Sequence, residues 1–298
     1  MNEINIQNFR AVNQEHAEKG LSQKYAFIPT TRVIAVLGGM GWKPSKVQEN
    51  RVRDGAGAGY QKHLVRFRQE GASSLIEIDK IVPEIVLTNS HNGLAAFSLM
   101  AGLFRFICLN GAVVADAMFG THKVKHIGYA DDKVMLAVQH ITDTVPQIAE
   151  KVKNYAAIEL TPDERNVFAM SALAVKYDGL ELAPEDYRRG RGPTGIIRDK
   201  ETGEIVRAFG ASELLSPRRR EDRAPTLWAT YNTIQEKFIK GNRFEIDQVS
   251  GYGRKKVRAV NSITEDIRIN RGLWMLTESM AKLKTGGAVA GAGLPMVV

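Results

Sequence analysis

The stretch Lys62-His63-Leu64-Val65-Arg66-Phe67-Arg68 decides the fold class. His63, Val65 and Phe67 share one side of an extended chain, with Lys62, Arg66 and Arg68 on the other. That period of two is the strand period. The run from Val47 to Arg53 alternates in the same way and is predicted as a second strand. Between the two, Gly55-Ala56-Gly57-Ala58-Gly59 lacks the Lys-Ser/Thr that completes a phosphate loop, so it reads as a hairpin tip. Further strands are predicted at Leu75 to Ile78 and Ile81 to Thr88, ending in the turn-rich Asn89-Ser90-His91-Asn92-Gly93. From Leu94 to Val114 the chain is largely apolar, and period alone does not separate helix from buried strand. Upstream, Thr30-Thr31 precede Val33, Val36, Leu37 and Met40, which predicts a helix near 31–40 with a threonine cap and Gly41 as its stop.

Later in the chain, Val134, Val138, Ile141, Val145, Ile148, Val152 and Tyr155 form a heptad-like seam on one helix, with Pro146 expected to kink or break it. Thr161-Pro162-Asp163-Glu164 is a capping box that opens the next helix. Ser216-Pro217 is predicted to open a helix carrying Leu227, Tyr231, Ile234 and Phe238, and another runs from about Val257 to Leu283. The expected fold is α+β: a mostly antiparallel sheet in the N-terminal part with helices packed on it, and a helical C-terminal part. The expected organisation is a mobile arm over 1–24, an α+β core over 25–180, a basic Gly/Pro/Arg loop or linker over 181–215, a basic helical segment over 216–284 and a flexible tail over 285–298.

Composition narrows the function. Of 298 residues, 44% are hydrophobic and 25% charged, as in ordinary folded proteins. The one cysteine, Cys108, excludes an internal disulfide and a thiolate cluster, and its apolar setting suits a structural thiol. No apolar run reaches the roughly 18 residues of a membrane span, and the start has no basic segment followed by an apolar one. A cytoplasmic location in a bacterial host cell, with no membrane partner, is expected. Neither Cys-x-x-Cys nor His-Glu-x-x-His occurs, and His122 and His126 are four apart on an apparent strand, so neither metal nor cofactor is expected.

The net charge of +8 is segregated: residues 188–271 hold 19 Lys+Arg against 11 Asp+Glu, and the rest hold 22 of each sign. Concentrated positive charge favours a polyanion, because neutralising phosphates releases condensed counterions. The candidate contacts are Arg188, Arg189 and Arg191; Arg218, Arg219, Arg220 and Arg223 at the expected helix start; and Arg254, Lys255, Lys256 and Arg258, with Tyr252 placed to stack on a base. Arginines in a first helical turn oppose the helix dipole, which a bound phosphate would offset. His91, among Asn89, Ser90 and Asn92, has the company of a general base; the same side chains equally satisfy turn amides.

The chain resembles the phage, prophage and plasmid family catalogued as domain of unknown function 932, including its enterobacterial prophage branch. The resemblance is carried by Tyr25-Ala26-Phe27-Ile28-Pro29-Thr30, Gly41-Trp42-Lys43-Pro44, Arg51-Val52-Arg53-Asp54 and the run Pro83 to Gly93. It continues through Gly102-Leu103-Phe104-Arg105, Cys108-Leu109-Asn110-Gly111, Leu215 to Asp222, Leu227-Trp228, Thr233-Ile234-Gln235-Glu236 and Asn270-Arg271-Gly272-Leu273-Trp274. It marks Asn89, Ser90, His91, Arg105 and Asn110 as a family-motif site. The family more often has Asp where this chain has Asn92, so no role here rests on a carboxylate at 92. The resemblance implies a gene of mobile DNA acting inside a bacterium, and implies no reaction.

Three functional readings follow. The first is a non-enzymatic protein of phage or plasmid DNA metabolism that binds or anneals single-stranded DNA through the basic clusters, by fold-level analogy with single-strand annealing proteins. The second is a counter-defence protein that binds a host nuclease, restriction or CRISPR component, with a host defence or recombination protein as partner. The third is a nuclease or hydrolase centred on His91. The heptad seam would also suit a second copy of the chain.

Overall fold

The computed structural model describes residues 4–52, 57–69, 81–105, 110–113, 121–124, 131–183, 193–241, 244–247 and 253–286. The chain divides into two compact units, one of residues 1–150 and 261–271, the other of residues 151–260 and 272–298.

The first unit is α+β. Helix α1 (Thr30–Gly39) precedes strands β1 (Trp42–Glu49), β2 (His63–Gln69), β3 (Ile81–Asn89), β4 (Phe97–Arg105), β5 (Asn110–Val113) and β6 (Thr121–Val124). All pairings are antiparallel in the order β1-β2-β3-β4; β5 takes the second half of the outer edge of β4 and β6 the first half. The apolar run from Leu94 therefore holds two strands. It shows no alternation because every position of β3 and β4 is buried, and a strand covered on both faces reads as continuously apolar. On one face Leu64, Val86, Met100 and Val113 pack with Ile263 and Ile267, near the start of α6 (Ile263–Thr285).

The same face carries buried charge. Glu84 accepts from Arg66 Nη1 at 2.9 Å and from Arg68 Nε at 2.8 Å, and its side chain is fully buried. Asp266 lies 3.9 Å from Arg66, and burial raises its carboxyl pKa despite that cation. Gly111 sits against this group: a Cβ there would come within 2.4 Å of Arg66 Nη1, so any side chain would displace the guanidinium that holds Glu84.

Two expectations for this unit are corrected. Residues 4–24 are not a mobile arm: Ala11 and Val12 are fully buried, the Ala11 amide donates to Glu49 Oε1 at 2.7 Å, and the Glu18 amide donates to the His91 carbonyl at 2.9 Å. Polar hydrogen bonds hold this segment, and a search for apolar periodicity does not register them. Thr30 is the first residue of α1 rather than a cap; the N-cap is Pro29, and the Thr30 hydroxyl is turned to buried histidines.

In the second unit α3 (Pro162–Lys176) begins at the expected capping box, with Thr161 and Glu164 bonded reciprocally. The helix α2 (Asp131–Ala157), whose residues from Lys151 belong here, runs unbroken through Pro146. Its seam is covered within a single chain, with Val134, Val138, Ile141 and Val152 fully buried. Tyr155 and Tyr231 meet Trp274 edge-on, and Trp228 stacks on Tyr231 at 5.2 Å, forming an aromatic core.

This unit also contains a five-stranded antiparallel sheet, in the order β11 (Gly253–Lys256), β10 (Phe244–Asp247), β9 (Ile205–Gly210), β8 (Thr194–Arg198), β7 (Glu181–Leu182). Three of its strands, and the short α4 (Ala211–Leu215), lie within 181–215, which is therefore not a plain linker. Its glycines and arginines masked two short β-branched runs. Helix α5 (Leu227–Lys240) begins eleven residues later than Ser216, with the Thr226 hydroxyl accepting from the Ala229 amide at 3.2 Å. Before it the chain is held extended by Glu159: Leu160 N donates to Pro225 O and Leu227 N to Ile158 O, each at 2.8 Å. Likewise α6 starts at Ile263 rather than Val257. Among the described residues no helix is long and apolar enough to cross a membrane.

Candidate functional site

The arginine-rich segment 216–223 lies in the loop after α4, so the expected conflict with a helix dipole does not exist. Two of its arginines are absorbed by structure. Arg219 forms a bidentate pair with Glu236, at 3.1 Å from Nε and 2.8 Å from Nη2, while Arg218 Nη2 donates to the Gly241 carbonyl at 2.7 Å. The pair with Arg219, helped by Lys240 and Arg218, holds the Glu236 carboxyl below the usual range against the opposing effect of burial, which is the largest influence on it. Arg220 and Arg223 are exposed and make no side-chain hydrogen bond or ion pair among the described residues. Lys256 and Arg258 are exposed in the same way. Arg188, Arg189, Arg191 and Tyr252 lie outside the described residues, as do the side chains of Arg254, Lys255 and Asn110. Cys108 and His126 are also outside them, and among the described residues no group of three or more His, Cys, Asp or Glu could hold a metal.

The motif site divides into two ends of one sheet. Asn89 pairs with His63, whereas Arg105 pairs with Ile81 at the opposite end of β3. Eight residues of strand separate them, roughly 27 Å. Arg105 and Asn110 face each other across β4 and β5 and share no site with His91.

At the first end, Thr30, His63, Asn89 and His91 form a fully buried cluster. His63 Nδ1 lies 3.1 Å from the Gln61 carbonyl, which can only accept, so Nδ1 carries the proton and Nε2 is an acceptor. The Thr30 hydroxyl, 2.8 Å away, therefore donates to His63 Nε2 and in turn accepts from Asn89 Nδ2 at 3.1 Å. Burial pushes the His63 pKa down to about 4, so the ring stays neutral. His91 Nε2 is 3.5 Å from the same hydroxyl, and its ring lies 4.8 Å from Phe27. The His91 ring has no exposed surface, and the turn that follows it is held by other side chains. There Ser90 Oγ donates to Ala95 O at 3.1 Å and accepts from Ala95 N at 3.0 Å, and Leu94 N donates to Asn92 Oδ1 at 3.2 Å.

This braced turn forms one wall of a cleft of about 590 Å³, contained in the first unit. Asn50 and Arg51 after β1, Gln61 and Lys62 before β2, Thr88 of β3, Ser98 of β4, and Thr264, Ile267 and Arg271 on one face of α6 supply most of the rest. Among the described residues its lining holds three cations, Arg51, Lys62 and Arg271, and no carboxylate. Lys62 Nζ donates to the neutral Thr264 hydroxyl at 3.0 Å, and half-burial lowers its pKa. Arg51 and Arg271 make no side-chain hydrogen bond or ion pair among the described residues. Thr88 and Ser98 hydroxyls lie 2.9 Å apart, and Leu94 stands at the rim, 86% exposed. Periodicity could not reveal this grouping, since its cations are brought together from positions 51, 62 and 271. A signal did exist: Arg51 and Arg271 both lie in segments that carry the family resemblance.

Residues 19–274 match the family described as Domain of unknown function (DUF932). The chain belongs to the DUF932 family. Two proteins of Escherichia coli strain K12 are similar: UPF0380 protein YafZ, 31% identical, and UPF0380 protein YfjQ, 30% identical, each over 91% of this chain and 87% of its own length. No solved structure matches. Set on this DUF932 fold, many motif residues are scaffolding. Arg219 and Glu236 join two motifs in one ion pair, Gly111 admits the Arg66 guanidinium, and Trp228 and Trp274 build the aromatic core.

Proposed function

We propose that this DUF932 protein binds nucleic acid through its phosphate backbone, in the DNA metabolism of a phage or plasmid. The observation that carries this reading is the charge of the second unit, which holds 23 Lys+Arg against 17 Asp+Glu, while the first holds 18 against 16. Arg220, Arg223, Lys256 and Arg258 are among its exposed cations without a described partner. A surface of this kind is drawn to a polyanion whatever its sequence. Single strands are the favoured form, because these cations sit on a loop and beside a strand end rather than along one face of a helix shaped for a duplex groove. The test is binding of a single-stranded oligonucleotide by the full chain across a salt series. With about four phosphates neutralised, log affinity should fall with log salt at a slope of roughly −3. Affinity independent of salt, or absent, overturns the reading.

A further inference from the structure

The cleft of the first unit is not needed by that reading, which rests on the other unit, and its composition is selective. Elsewhere several inward cations are matched by acids, Arg66 and Arg68 by Glu84, Lys151 by Glu278 and Arg219 by Glu236, and others by carbonyls, Lys176 by Phe238 and Arg218 by Gly241. In the cleft three cations line a concave space with no acid among the described residues of its lining. Like charges lining a recess repel, and an anion entering between them relieves that repulsion. Arg51 and Arg271 keep their guanidinium forks unengaged by any described partner, the state needed to grip a phosphoryl group in bidentate fashion. Lys62 is steered toward the same space by the Thr264 hydroxyl.

The remaining walls specify more than inorganic phosphate. A volume of about 590 Å³ lies within the range of small-molecule sites. Val52, Leu94, Met100 and Ile267 give the cleft apolar surface beside the cations, while Asn50, Asn92, Thr88 and Ser98 offer donors and acceptors. A ligand with one anionic end and one flat, hydrogen-bonding, largely apolar end matches this division. The braced Ser90–Ala95 turn and the buried histidine cluster fix one wall in advance, so little ordering accompanies binding.

We propose that this cleft binds a nucleoside phosphate, its phosphoryl group held by Arg51, Lys62 and Arg271 and its base lodged against Met100 and Ile267. The nucleotide can be free or a unit of a single strand, and the experiment separates the two. Full-length protein and the double variant Arg51→Ala/Arg271→Ala are titrated calorimetrically with dTMP, thymidine, inorganic phosphate and the oligonucleotide dT10. Circular dichroism checks folding, and Arg271→Lys on the Arg51→Ala background gives partial return of charge. The expected result is saturable binding of dTMP, weaker by at least tenfold for thymidine or phosphate alone, and at least tenfold weaker in the double variant. If dTMP fails to bind but dT10 loses tenfold in the double variant, the ligand is a nucleotide within a strand. If neither probe distinguishes the folded double variant from the native chain, the proposal is overturned. Arg220→Ala/Arg223→Ala should leave dTMP binding unchanged, so failure here and failure of the backbone-binding reading are read from different variants.

Discussion

Two cationic regions of this protein differ in a way their sequences conceal. The run Arg218-Arg219-Arg220 places three cations in succession, yet Arg219 is locked to Glu236 and Arg218 to the Gly241 carbonyl. The cleft draws three cations from positions 51, 62 and 271, and no carboxylate among the described residues lines it. Charge density along a sequence therefore measures supply, while availability depends on which acids the fold delivers to the same place.

The largest expected effect tests what happens when a matched cation loses its acid. Glu84→Gln leaves two guanidinium groups without their buried carboxylate and should destabilise the fold by about 3–5 kcal/mol, measured by urea unfolding. A loss below about 1 kcal/mol would mean that Arg66 and Arg68 escape to water.

Next in size is the proton dependence of the cluster that braces the cleft wall. His63 titrates at 6.5 when unfolded and about 4 when folded, so between those values the unfolded chain binds more protons. Stability attributable to His63 is complete above pH 6.5 and falls with pH down to about 4. The loss should reach about 3 kcal/mol, and His63→Gln should flatten that part of the profile.

The smallest effects compare the two kinds of arginine directly. Arg219→Ala should lower stability by about 1 kcal/mol, since its pair is only partly exposed, and leave the salt slope of oligonucleotide binding almost unaltered. Arg220→Ala/Arg223→Ala should change stability by less than about 0.5 kcal/mol and make that slope shallower by roughly 1 to 1.5. Reversal of these two outcomes would show that the matched arginine is the one that contacts phosphate.

Much of the fold was legible. The alternation around His63 marked a true strand, Thr161 to Glu164 marked a true capping box, and the seam from Val134 to Tyr155 marked one helix. The errors share a cause. A threonine before an apolar run commonly caps a helix, but the Thr30 hydroxyl serves a histidine 33 residues away. Local propensity allows a helix start at Ser216-Pro217, while a bridge between Glu159 and Thr226 holds the chain extended just before Leu227. The candidate site was legible only in part: the motif turn was found, but it serves as a wall, and its histidine is shut away from solvent.

Sequence alone determined the alternating strands, the capped and amphipathic helices and the excess of positive charge, because each depends on neighbours within a few residues. Which arginines keep their charge for a ligand, and which histidine proton is held where, was decided only by tertiary structure. Those properties depend on partners tens to hundreds of residues away and on the burial that makes pairing obligatory.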